Sequence, residues 1–151
     1  FRLGVPYTGH PMIGHDIIYT HPMNHGACLG RAALRDFLTF AESVCRLAGG
    51  VYVSIGSAVM SPMVFEKSLS MAQNLAIQRG QHIDDHYILV TDLAPARWDW
   101  SRGEPPDTDP AYYLRYNKTF SRMGGTMRYV SADNRDFLLT LSQMLVGKAP
   151  A

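Results

Sequence analysis

The sequence predicts an α/β fold: a three-layer, Rossmann-like domain with a mainly parallel sheet. Three observations predict it. Short runs of β-branched and aromatic residues alternate with longer stretches whose apolar residues recur at helical spacing. The joints between them carry the Ser, Pro, Asp and Gly residues that start and stop helices. A chain of 151 residues, 46% of them hydrophobic, can bury one ordinary core. Strands separated by helices of this length cannot pair as hairpins, so they pair in parallel with helices packed on the sheet.

The first run, Ile17, Ile18, Tyr19 and Thr20, is stopped by Pro22 and reads as a buried strand. In "NHGACLGRAALRDFLTFAESVCRL" the residues Leu34, Phe37, Leu38, Ala41, Val44 and Cys45 fall on one helical face, and Gly49 and Gly50 close the helix. Val51 to Ile55 is the second strand, apolar or small on both faces as a central parallel strand requires. Ser61 is placed to cap the next helix with Pro62 at its first position, and Phe65, Leu69, Ala72 and Ala76 form its stripe before Gly80. "HYILVTDL" is a third strand and "TMRYVSA" a fourth. Asp133 caps a last helix with the stripe Phe137, Leu138, Leu141, Met144 and Leu145. Between the last two strands, Ala94 to Lys118 is too long for a simple connection and too aromatic for plain disorder.

Lys and Arg number 14 against 13 for Asp and Glu, a formal net charge of +1. That balance gives no electrostatic footprint for nucleic acid or an anionic membrane surface. No apolar run reaches the length of a bilayer span. The two cysteines, Cys28 and Cys45, make neither a disulfide framework nor a CxxC pair, so a reducing cytoplasm is the expected compartment. The N-terminus has no initiator Met and no signal-type region. We therefore read residues 1–151 as a single α/β domain, the C-terminal part of a longer chain or assembly.

In parallel sheets, ligands sit beyond the carboxyl ends of the strands. In "GGVYVSIGSAVMSP" the residues Gly56, Ser57 and Ala58 occupy such an end, just before a helix whose free N–H groups favour an anion. Small residues would let a phosphate or ribose approach the backbone; equally, they would let strand and helix pack closely with nothing bound. "NHGACLG" poses the same choice, with Asn24 as a helix cap and Gly26 and Gly30 as an open backbone path. His10, His15, His21 and His25 are clustered, yet none forms the spaced pair that a metal site needs. His82 and His86 flank Asp84 and Asp85 before a strand, an ordinary loop pattern. In the long connection, Asp99 lies between Trp98 and Trp100, with Glu104, Asp107 and Asp109 adding acidity. Carboxylates beside aromatic faces suit an amine cation; the alternative is a solvated acidic loop anchored by its tryptophans.

The order "NHGACLG", "GGVYVSIGSAV", "HYILVTDL" and "WDWSRGEPPDTDPAYYLRYNK" resembles the C-terminal half of deoxyhypusine synthase and its homospermidine-synthase-like relatives. Asp99, Ser101, Gly103, Pro106 and Asp107 stand where that family's "DGSxSGARPDEAxSWGK" loop has Asp, Ser, Gly, Pro and Asp. Lys118 falls near the family's catalytic lysine, with Tyr116 in place of its Trp and an insertion between Asp107 and Tyr116. Gly56, Ser57 and Ala58 replace a "GGG" turn, and Ser61 and Pro62 occupy the region of a His pair. The resemblance implies NAD as cofactor, accepting a hydride from a polyamine, with an aminobutyl group passing through an imine on Lys118. It further implies Asp99 and Asp107 as the cation's carboxylates and a homo-oligomer whose sites lie between subunits. An attacking lysine must be neutral, and Arg115 and Arg122 are near enough in sequence to lower its pKa.

Two other classes fit the same residues. A nucleotide or sugar-phosphate binder without redox chemistry would use the helix starts and leave Lys118 expendable. A non-catalytic subunit would use Met60, Met63 and Met71 with Trp98 and Trp100 as an interaction face.

Overall fold

A computed structural model describes residues 2–147. Helix α1 spans Gly26–Val44, strand β1 Val51–Ile55, helix α2 Met60–Ile77 and strand β2 Tyr87–Asp92. After a long connection come helix α3, Arg115–Ser121, strand β3, Thr126–Ser131, and helix α4, Asn134–Val146. The strands form one parallel sheet in the order β1-β2-β3. The α/β, parallel, helix-flanked architecture read from the sequence is the one observed.

The parallel register aligns Tyr52 with Ile88 and Met127, and Ser54 with Val90 and Tyr129, on one face. Successive side chains alternate in direction, so these residues share a side. Phe65 of α2 and Phe120 of α3, both fully buried, cover it. The Tyr52 ring stacks on Phe65 with centroids 3.9 Å apart and lies 5.9 Å from Phe120. Helix α1 packs against α2, with Ala41 and Val44 buried and Phe40 edge-on to Tyr52. The Gln73 side chain donates to the Ile83 carbonyl and accepts from its N–H, which fixes the exit of α2 against the entry of β2. On the other face, α4 lies against β2, half-burying Phe137 and Leu141, while Val51, Val53 and Val130 stay exposed.

Several expectations need correction. Ile17–Thr20 is a 3-10 turn with no buried residue, not a strand, so the sheet has three strands among the described residues. β-propensity reports fit to a half-buried pleated surface, and this run has no neighbouring strand; Thr20 Oγ1 and the His21 N–H instead bond back to the Ile17 and Ile18 carbonyls. The α2 stripe holds: Phe65, Leu69 and Ala72 are buried. On α1, Leu34 and Leu38 of the expected stripe are exposed, as are Leu138, Met144 and Leu145 on α4. Ser61 does not cap α2. The helix begins after Val59, the Ser57 hydroxyl accepts from the Ser61 N–H at 3.0 Å, and the Ser61 hydroxyl pairs with the Tyr52 phenol at 2.6 Å. Asn24 does not cap α1 either; His25 Nδ1 accepts from the Cys28 N–H, while the Asn24 amide donates to the Tyr19 carbonyl. Asp133 caps α4 as expected, accepting from the Arg135 N–H at 2.8 Å.

Candidate functional site at the carboxyl edge of the sheet

Gly56 ends β1 with its N–H donating to the Thr91 carbonyl, and turns the chain at φ +60°. A Cβ at this position would stand 2.2 Å from Asn134 Nδ2, in the first residue of α4. Glycine is therefore required twice, by the left-handed backbone and by the approach of α4. The starts of α2 and α4 consequently meet over one turn at the carboxyl edge. Asn134 Oδ1 is buried there without a hydrogen-bond partner, a state that a donor on a ligand or a water would relieve. Ser57 is half-buried and Ala58 exposed.

The donors available are limited. The Ser61 N–H is satisfied by Ser57, and Pro62 has none, which leaves the Met60 amide in the first turn of α2. At α4 the Asp133 carboxylate takes the first-turn amide of Arg135 and binds its guanidinium, and these contacts lower the Asp133 pKa. The edge thus offers the Met60 amide to an anion, and the oxygens of Asp92, Asp133 and Asn134 to hydroxyl groups. Gly26 opens α1 with the small residues Gly26 and Gly30 facing open space, where an added Cβ meets nothing within 4 Å. They leave a backbone path at the start of α1.

The connection from Leu93 to Leu114 is ordered rather than loose. Trp100 is buried in the core, and the Trp98 indole N–H donates to the Gly103 carbonyl at 2.9 Å with Arg102 over its ring. Asp99 accepts from the Ser101 N–H and hydroxyl and from Arg128 at 2.6 Å, contacts that together hold its pKa below the ordinary carboxylate value. Asp107 is exposed.

Lys118 lies within α3 rather than in a loop. Its Nζ is 2.8 Å from Glu104 Oε1 and 3.3 Å from the centroid of the Tyr112 ring, with the side chain only 16% exposed. Arg122 binds the other oxygen of Glu104. The expectation of a lowered lysine pKa is overturned: hydrogen bonding to Glu104 raises it, and Lys118 and Arg122 hold Glu104 below its usual value. Arg115 forms no ion pair among the described residues. Glu104 and Tyr112 were legible only as general acidity and aromaticity. The sharper signal was Lys118 and Arg122 at i, i+4 on one helix, a basic pair that needs a carboxylate. Arg128 and Asn134 carried no sequence signal.

Tyr129 donates to the Ala94 carbonyl at 2.6 Å, and burial pushes its phenol pKa far up. It is a structural pin between β3 and the connection. Among the described residues no three of His, Cys, Asp or Glu converge as a metal-holding group, and no helix is long and apolar enough to cross a membrane. No protein-family model, curated protein or solved structure matches the chain.

Proposed function

We propose that this chain binds a nucleotide, with NAD the expected ligand, across the carboxyl edge of its sheet, as the α/β half of a deoxyhypusine-synthase-like protein. The observation that supports this reading is the meeting of the α2 and α4 starts at Gly56, where parallel α/β sheets take their ligands. A phosphate oxygen would accept from the Met60 amide at the positive end of α2. Ribose hydroxyls would donate to Asn134 Oδ1 and the Asp92 carboxylate. Bound NAD would supply hydride acceptance; the chain's own residues orient it and shield one side of it. A reducing, cytoplasmic setting goes with this reading, since Cys28 and Cys45 are free thiols.

The amine-transfer part of the family chemistry is favoured less by the geometry. Arg128 already neutralises Asp99, and Glu104 holds Lys118 in its charged form. Nucleotide binding without lysine chemistry is the function this arrangement supports best.

Ser57→Glu places a carboxylate beside the Met60 amide. NAD titrated into the protein should give measurable heat and raise its Tm with ligand excess, and Ser57→Glu should abolish both while the unliganded protein stays folded. A Tm raised by sugar phosphates but not by millimolar NAD would transfer the site to a different phosphorylated ligand. Assembly into a homo-oligomer belongs to the same proposal, supported by the exposed leucines of α4 and the valines of the open sheet face. Light scattering should give a multiple of the chain mass, reduced to one chain mass by Leu138→Lys with Leu145→Lys; a monomer in the unmodified protein would refute it.

A further inference from the structure

The two edges of the sheet are finished differently. At β1, the Tyr87 N–H donates to the Gly50 carbonyl and the Gly56 N–H to the Thr91 carbonyl, so residues 50, 52, 54 and 56 turn their backbone groups towards β2. The N–H and C=O groups of Val51, Val53 and Ile55 point the other way. Among the described residues no backbone group beyond the sheet bonds to them. An open edge is a template for a further strand, and proteins blunt such edges with charge, proline, a bulge or a covering loop. Val51–Ile55 has no charged residue and no proline, its register with β2 runs without a bulge, and Val51 and Val53 are 60% and 38% exposed. Strand β3, at the opposite edge, is blunted. Arg128 stands within it, paired to Asp99; the 3-10 turn Trp100–Arg102 packs on it, and Tyr129 is tied to the Ala94 carbonyl.

The helices leave room at the same edge. Helix α2 packs against both α1 and α3, and α1 reaches the strands through Phe40, edge-on to Tyr52 of β1. The three therefore lie side by side on the sealed face, with α1 at the β1 end. Neighbouring helix axes stand about 8–10 Å apart and neighbouring strands about 4.8 Å apart, so three helices outspan three strands by nearly the width of two more. The excess falls beyond β1, because α3 lies against β3. The segment at His10, which rests on Phe40, makes no backbone hydrogen bond with β1. We infer that the β1 edge is an interaction surface for an extended, uncharged segment of a partner polypeptide, which joins the sheet as a fourth strand beneath α1. Its N–H and C=O groups pair with those of Val51, Val53 and Ile55, and β-branched or aromatic residues on one side of it continue the row of exposed valines. A second copy of this chain does not fit the space: paired β1 to β1 about a two-fold axis, it would carry its own α1 into the place of α2.

The test supplies a strand and reads the edge. A short segment of alternating valines and threonines is fused ahead of Phe1 through a flexible Gly-Ser linker of about 12 residues, which holds it near the edge at an effective concentration on the order of millimolar. Amide exchange of each β1 residue is followed by NMR. In the unfused protein the Val51, Val53 and Ile55 amides should exchange fast, and those of Tyr52 and Ser54, bonded to β2, slowly. In the fusion the first three should slow by roughly tenfold or more, with cross-strand NOEs to the added segment. The same fusion with lysines in place of its valines should leave them fast. The proposal is overturned if the three amides stay fast in the valine fusion, slow equally in the lysine fusion, or are already slow in the unfused protein. Slowing that deepens with the concentration of unfused protein would give the edge to a second copy and overturn it as well. Exchange is read without nucleotide, and the α4 leucines are untouched, so the edge stands or falls separately from the nucleotide site and from assembly through α4.

Discussion

The two faces of the sheet are built from the same three strands and have opposite fates. The face carrying Tyr52, Ile88, Val90 and Met127 is sealed by Phe65 and Phe120 from two helices, with α1 packed against α2. The face carrying Val51, Val53 and Val130 has only α4, which buries none of its residues. Alternation along a strand supplies apolar side chains to both sides; only the helices that cross between strands guarantee cover, and both crossings, α2 and α3, lie on the first face. Stability therefore resides on one side of the sheet. The other side is apolar, accessible and free to meet a ligand or another chain at its carboxyl edge.

Truncation is the strongest way to break this comparison. Phe65→Ala should lower unfolding free energy by about 3–5 kcal/mol, since a fully buried ring leaves a cavity that neighbours fill only in part. Leu139→Ala, on the outward side of α4, should stay within about 0.5 kcal/mol. Denaturant melts of the two variants check this directly. A loss at Leu139 that rivals Phe65 would mean that the cover an oligomer gives Leu138 and Leu145 reaches the outward side of α4 as well, and the asymmetry would then belong to the isolated chain alone.

That asymmetry also explains what the sequence could disclose. The α2 stripe was legible because a helix joining two parallel strands must lay its apolar side on them. The stripes of α1 and α4 were equally periodic, yet Leu34, Leu38, Leu138 and Leu145 are exposed, because periodicity locates an apolar face and says nothing about what covers it. Ile17–Thr20 misled for a related reason: β-branched residues pair only where a strand lies alongside. At the site, Gly56 was legible from its place between strand and helix, whereas its true neighbour, Asn134, is 78 residues away and joins it only through the crossing of α4. The Glu104 to Lys118 pair was hidden likewise, since carboxylate and lysine lie on different elements.

Titration offers a second contrast, specific to the sealed face. His86 is buried at the entry to β2, edge-on to Phe65, and neither ring nitrogen has a hydrogen-bond partner. Gly125 is required beside it, because a Cβ there would come within 2.2 Å of the His86 carbonyl and the backbone takes φ +69°. Burial lowers the His86 pKa below its ordinary 6.5, with Asp85 and Asp84 opposing. The unfolded chain then binds the proton more readily than the folded one. The neutral imidazole's contribution is complete above pH 6.5 and is lost as pH falls through the folded-state value. Thermal melts between pH 7.5 and about 5 should show Tm falling with acid, and His86→Leu should shallow that slope without removing a hydrogen bond. His10, whose pKa burial also lowers, adds to the slope in the same direction. An unchanged slope in His86→Leu would place the acid sensitivity on the carboxylates instead.

The smallest effect separates the helices themselves. Helices α2 and α4 each begin with a side-chain oxygen on a first-turn amide, Ser57 on Ser61 and Asp133 on Arg135. Loss of such a cap typically costs about 1 kcal/mol. Because α2 is packed along its length into the sealed face, it cannot fray without exposing Phe65 and Leu69, so Ser57→Ala should appear in the global Tm. Helix α4 has no buried residue to expose, so Asp133→Ala should leave Tm nearly unchanged and should instead accelerate amide exchange in its first two turns. Equal Tm shifts in the two variants would show that α4 unfolds together with the sheet. The open face would then be an integral part of the core, and the meeting of α2 and α4 at Gly56 a rigid joint rather than an edge where one wall can open locally.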